Sequence, residues 1–100
     1  MRLRIQRILI SGRVEGKIWS KHGVRAEEVR QAFEYRGSYA EAGGRSGIYN
    51  CYGGTFGGRF LFAVMRDLGE GAFKLITCFE MEEKHQKRYQ QLKRYGGVNG

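Results

Sequence analysis

Residues able to move protons or hold phosphate are few in this chain, and most fall at element ends. His22 lies in the run Lys21-His22-Gly23-Val24, which spacing places at the carboxyl end of a helix. There the macrodipole favours the imidazolium, which suits a general acid or a phosphate contact. The same place suits a histidine that caps the helix or packs on its Val14–Ile18 face, and spacing does not separate these readings. Arg59 opens an apolar run straight after Gly57 and Gly58. A guanidinium bordered by glycine can meet a backbone phosphate closely; it can equally be a solvated strand-end charge. Glu80 and Tyr89 supply a carboxylate and a phenol, although Tyr89 shares an apolar helical stripe with His85, where packing is the simpler role. Together His22, Arg59, Glu80 and Tyr89 are the types that metal-free RNA cleavage requires. In that reaction a 2′-hydroxyl attacks the adjacent phosphorus, so a base, an acid and a fixed cation are needed. Lys17, Lys21, Lys84, Lys87 and Arg88 are the candidate contacts to RNA phosphate, set against the ordinary role of such residues as solvated helix faces.

Other chemistries lack their residues. There is no phosphate loop of the G-x-x-x-x-G-K-[ST] type. Gly53, Gly54, Gly57 and Gly58 do not sit between a strand and a helix, so they read as a strand turn and not as a dinucleotide fingerprint. Two cysteines, Cys51 and Cys78, are too few for a disulfide scaffold or a four-ligand zinc site. No cofactor and no metal are expected.

The composition selects a partner class. Of 100 residues, 18 are Lys or Arg and 10 are Asp or Glu, a formal net charge of +8. Such an imbalance costs self-repulsion, which polyanion partners offset. Tyr39, Tyr49, Tyr52 and Phe56, in a glycine-dense stretch, are candidates for stacking on unpaired bases. No apolar run reaches the ~18–20 residues of a membrane span. Met1–Ile10 alternates charge with aliphatics, unlike an export signal, so a cytoplasmic protein is expected.

The elements that must position these residues can be read in outline. Arg2–Ile10 reads as a strand whose phase slips at Gln6–Arg7, implying a bulge or bend. Val14–His22 reads as a helix with Gly23 as its left-handed cap and Val24 as the apolar contact. A second helix runs from Arg25 to about Arg36, burying Ala26, Val29 and Phe33. A loop follows over Glu41–Gly47, then a strand from Ile48 to about Tyr52. Arg59–Arg66 is apolar on both faces and reads as a central strand. Asp67–Gly71 turns it into a hairpin with Ala72–Phe79. Glu80–Tyr95 reads as the closing helix, acids first and bases last. The expected fold is a small α+β domain over residues 1–95, with a flexible tail at 96–100. Its order is β-α-α-β-β-β-α and its sheet is mostly antiparallel.

At this point the motifs resemble a family. Lys21-His22-Gly23-Val24 followed by Glu27-Glu28-Val29 and Phe33 is similar to the K-H-G-V…E-E-A…F segment of BrnT-type toxins, the toxin halves of bacterial type II toxin–antitoxin pairs. Gly58-Arg59-Phe60-Leu61-Phe62-Ala63-Val64 resembles the family's G-R-x-L-x-V strand. Lys74–Phe79 weakly matches R-I-I-S-A-R, and Lys87-Arg88-Tyr89 falls in the basic closing helix. The resemblance implies a RelE-like fold and an RNA-cleaving activity that arrests translation. It also implies a small cognate antitoxin protein that covers the site, with oligomers formed through that partner. It favours His22 and Arg59 as functional. Three departures stand out. The family's strand-end arginine falls at Cys78 or Phe79, an acidic helix position falls at His85, and Gly43–Gly58 is a glycine-rich insert. Two alternatives accompany this reading: a non-catalytic RNA- or DNA-binding module on the same fold, and an adaptor whose basic surface docks an acidic protein.

Overall fold

The phase slip at Gln6–Arg7 has a topological cause. A computed structural model describes residues 2–99, with side chains over 4–94. Its elements are β1 (Arg2–Leu3), β2 (Arg7–Leu9), α1 (Gly12–His22), α2 (Ala26–Arg30) continuing into a π-helical turn (Gln31–Tyr35), β3 (Ser38–Ala42), β4 (Ile48–Gly54), β5 (Phe60–Gly69), β6 (Ala72–Glu80) and α3 (Glu83–Asn99). The six strands lie in the order β1-β3-β4-β5-β6-β2. β1 and β2 therefore occupy opposite edges, although only residues 4–6 separate them. Four residue steps reach at most ~14 Å, whereas six flat strands would span ~24 Å. The sheet must curl until one short segment touches both edges, with Ile5 buried at the crossing.

This corrects the expected architecture in three respects. The first strand is two strands with different partners. β3 is an additional strand where the sequence read partly as loop. The sheet is mixed, because β2 runs parallel to β6 while the other pairings are antiparallel. Pairing direction between segments so distant in the chain leaves no trace in either segment's own pattern. β3 escaped notice because its buried positions are the small residues Ser38 and Ala40, with Tyr39 and Glu41 on the other face. The closing helix begins at Glu83, because β6 continues to Glu80, paired with Leu61.

β4 also runs on through Gly53 and Gly54, expected as a turn. β5 runs to Gly69, so the turn expected at Asp67–Gly71 narrows to Glu70 and Gly71. Ala26 is half-buried, whereas the cap of α1 follows the sequence reading. Ser11 caps α1, its hydroxyl accepting the Val14 N–H at 3.2 Å. Gly23 takes φ 63°, and Val24 donates back to the Ile18 carbonyl, which closes the helix and buries Val24. The β5–β6 hairpin turns on Glu70 and Gly71, both at positive φ, as a two-residue turn of this hand requires.

The helices cover both sheet faces. On one face α1, α2 and the π turn bury Ile18, Val29 and Phe33 against Leu61, Ala63 and Met65 of β5. On the other, Leu92 of α3 joins Tyr52 and Phe62, with Tyr89 half-buried beside them. The outer edge of β2 is sealed by the helix layer. Arg30 donates to the Ile8 carbonyl at 2.9 Å, and the Ile8 N–H donates to Glu34 at 3.2 Å, so no bare edge is offered there. At Gly53 the π turn comes so close that an added Cβ would lie 2.7 Å from the Ala32 carbonyl oxygen.

His85 is the buried cap of α3. Its Nδ1 accepts the Glu82 N–H at 3.1 Å, and its ring stacks on Phe62 at 4.3 Å. This is the reciprocal half of a capping box with histidine in the usual Glu or Gln place. Burial, then repulsion from Lys84, pushes its pKa below the usual imidazole range, against a smaller pull from Glu82. A lowered folded-state pKa means stability is complete above the unfolded value, near 6.5, and is lost as pH falls through the folded one.

Two outcomes follow from this packing. His85→Gln keeps an acceptor that does not titrate, so its Tm should fall less than that of the native protein between about pH 6.5 and 5. Parallel Tm curves would exclude His85 as the source. Gly53→Ala should cost about 1–3 kcal/mol in denaturant melts, because backbone must move; an unchanged midpoint would show that the helix layer yields freely.

Candidate active site

Four chain segments meet at Arg59. The Thr55–Arg59 turn delivers it: Gly58 at φ 91° bends the chain, and the Arg59 N–H donates to the Thr55 hydroxyl at 3.0 Å. Its Nη1 donates to both Glu28 carboxylate oxygens at 2.9 Å and to the Gly23 carbonyl at 3.1 Å. Its Nε donates to Glu80 at 3.2 Å. Partial burial works against the charge, but the two carboxylates outweigh it and hold the guanidinium more firmly protonated than usual. Nη2 makes no bond among the described residues and remains a donor.

His22 and Glu80 face the same open cleft, of about 350 Å³, which Phe79 and Glu82 complete. The imidazole packs on Phe79, with ring centroids 5.4 Å apart. Phe79 is thus a wall of the cleft. Glu80 is exposed and bound by Arg59, so two carboxylates and one imidazole border the cleft, and one of the carboxylates carries a cation. The arrangement offers a base, an acid and a donor to an anionic oxygen.

The other sequence candidates are placed elsewhere. Tyr89 lies in a separate cleft of about 380 Å³ with Arg36, Tyr39, Phe60 and Lys93. Burial, and then Tyr39, raise its pKa, so the phenol stays protonated. The guanidinium of Arg88 is held on Glu41 of β3, with contacts of 2.7, 3.0 and 3.1 Å. That same Glu41 also accepts the Tyr52 hydroxyl at 2.9 Å, and Arg88 foremost, opposed by burial and helped by Tyr52, holds its carboxyl below the usual range. Lys87 pairs with Glu83 at 3.3 Å on the exposed face of α3. Lys17, Lys21 and Lys84 are exposed without ion pairs among the described residues. Of the expected stacking aromatics, Tyr52 is buried, Tyr39 and Tyr49 are half-buried, and Phe56 is exposed beside Tyr35.

Glu28 and Glu82 were not singled out from sequence. Glu28 entered only within the Glu27-Glu28-Val29 run, yet it accepts the Arg25 N–H at 3.1 Å, capping α2, and also binds Arg59. The capping spacing was a usable signal; its second partner, 31 residues away, was not. The thiols are not nucleophiles here. Burial pushes Cys51 up to about 12 and raises Cys78 as well. Both flank Ala63 on neighbouring strands, ~9.6 Å apart and beyond disulfide reach. No cluster of three or more His, Cys, Asp or Glu side chains suited to a metal occurs among the described residues. A larger cleft, about 520 Å³ between Trp19 and Arg25, contains neither histidine and stands apart from this group.

The fold defined here is a curled mixed sheet with two helices and a π turn on one face and one long helix on the other. It is shared with a solved ribonuclease toxin. The crystal structure of the Brucella abortus ribonuclease toxin BrnT matches with a TM-score of 0.61, at 11% identity, over 78% of this chain and 99% of that one. The resemblance noted in the motifs is thus met at the level of the fold. No protein-family model matches the chain, and no curated protein sequence matches it. Among the described residues no helix is long and apolar enough to cross a membrane.

The Arg59 tie has a measurable consequence. Arg59→Ala strands the half-buried Glu28 carboxylate and should cost about 1–3 kcal/mol, lowering Tm by upward of ~4 °C. His22→Ala, at an exposed helix end, should leave Tm nearly unchanged. Equal Tm for Arg59→Ala and the native protein would show the tie to be solvated and idle.

Proposed function

We propose that this protein is the toxin of a type II toxin–antitoxin pair and that it cleaves RNA at the His22–Glu80 cleft without a metal. The observation that carries the reading is that His22 and Glu80 line one open cleft, with Arg59 bonded to Glu80, on a fold shared with a ribonuclease toxin. Glu80 takes the 2′-hydroxyl proton as that oxygen attacks phosphorus. His22 as imidazolium gives a proton to the departing 5′-oxygen, leaving a 2′,3′-cyclic phosphate. Nη2 of Arg59 donates to the phosphorane oxygens. Tyr89 takes no part in the transfer, and its cleft is a neighbouring surface. A small antitoxin covering this face fits the same reading.

One observation favours the second reading, a module that binds nucleic acid without cutting it. Glu28 and Glu80 both bind Arg59, Glu82 lines the same cleft as Glu80, and this local acidity opposes phosphate. An end-labelled RNA incubated in EDTA separates the two. The native protein should yield fragments ending in cyclic phosphate, with His22→Ala and Glu80→Gln each slower by about 10²-fold or more. A mobility shift with RNA left intact would establish the binding module. Fragments from both variants at the native rate would move the chemistry away from this cleft.

A further inference from the structure

At the far end of α1 from His22, four cations line one pocket of about 390 Å³. They are Arg13 and Lys17 of α1, Arg66 of β5 and Lys74 of β6, with Ser11 at the rim and Leu75 beneath. No carboxylate lines it, and none of the four makes an ion pair among the described residues. The nearest acids are engaged or turned away: Asp67 accepts the Gly69 N–H at 2.7 Å, and Glu15 borders the cleft on the other side of α1.

This grouping works against the fold. Arg66 and Lys74 are direct cross-strand partners, where like charges repel. Arg13 and Lys17 stand four apart on one helix, another repulsive spacing. The remaining N–H groups of the first turn of α1 add further positive character. Two repulsive pairs turned to one pocket, with no acid between them, form a site for an anion that is absent from the folded chain itself.

We infer that this pocket is a phosphate anchor for the backbone of single-stranded RNA, holding a segment remote from the cleavage cleft. The inference rests on the RNA-cleavage reading and names how its substrate is held. The nine residues from Arg13 to His22 span ~13 Å along the helix, and the six from Lys74 to Glu80 span ~20 Å along the strand. At ~3.4 Å per stacked nucleotide, four to six nucleotides separate anchor from cleft. Lys21 lies on the helix between them, beside His22. RNA is favoured over an acidic protein because the same helix and strand carry both places: Lys17 and His22 on α1, Lys74 and Glu80 on β6.

The test uses a labelled 2′-O-methyl RNA twelve-mer, which has no 2′-hydroxyl to attack, with a trimer as comparison. Affinity is measured against salt for the native protein, Arg66→Gln/Lys74→Gln and Arg13→Gln/Lys17→Gln. Each double variant should lower the twelve-mer's slope of log affinity against log salt by about 1.4, at ~0.7 per lost contact. The trimer, too short to span anchor and cleft, should bind more weakly than the twelve-mer. Tm should hold or rise in both variants as repulsion is relieved, so two independent folded proteins carry the result. An unchanged twelve-mer slope in both overturns the anchor while leaving the cleft reading intact. Reduced binding of poly-L-glutamate with RNA binding unchanged overturns it in favour of an acidic protein partner. If the native protein binds no RNA at low salt, the cleavage reading falls as well.

Discussion

A single guanidinium holds this domain's working end together. Arg59 joins the last carbonyl after α1, the first turn of α2, the start of β5 and the end of β6. Each of those ends leaves polar groups that the helices and the sheet cannot satisfy by themselves. The capped α1 presents the Gly23 carbonyl, and Glu28 brings a half-buried charge. A planar fork of donors meets these demands in one geometry, which a lysine does not. The turn at Thr55–Arg59 is built around the Arg59 backbone, so the position of the guanidinium is set from both sides. His22 and Glu80 share a cleft because the elements that carry them are tied at this point.

The excess of positive charge has a division of labour. Arg30, Arg59 and Arg88 each bind a carboxylate from a different part of the fold or seal an edge. They act as cross-links between layers, and their charge is cancelled locally. Arg30 and Glu34 together close the backbone of Ile8, and Arg88 with Glu41 fastens α3 to β3. Among the described residues, Arg13 and Lys17 of α1, Arg66 of β5 and Lys74 of β6 are cations without an ion pair that gather at one pocket. Net charge alone points to a polyanion; the pairing separates cations cancelled locally from those left open.

The sequence was most informative where one segment decides its own structure. The Gly23-Val24 cap needs only a left-handed residue and an apolar follower, and the apolar run of β5 needs only to be buried on both sides. Both were read from spacing. It was least informative where distant segments decide together. The split of the first strand depends on the two edges it joins, and the small buried residues of β3 gave it no apolar alternation. The site shows the same division. His22 and Arg59 stood out by their glycine neighbours, and Glu80 by its type. Its assignment to a helix failed because β6 extends to pair with Leu61. Tyr89 and Arg88 matched by type and position along the chain, but half-buried packing in another cleft and the Glu41 pairing decide where they act.

The cleft carries an electrostatic problem that constrains how it can work. Glu28 and Glu80 bind Arg59, and Glu82 and His22 line the cleft beside Glu80. A phosphate entering this space meets more negative than positive charge, so the cleft itself contributes little to holding RNA in the ground state. That is compatible with catalysis, since binding energy expressed only in the transition state is what raises the rate. It requires the affinity to come from elsewhere on the substrate. On the proposed reading, the unpaired cations of α1 and the hairpin meet that need by acting on phosphates outside the reaction. Separation of holding from cutting is thus the condition under which a basic domain can keep an acidic site.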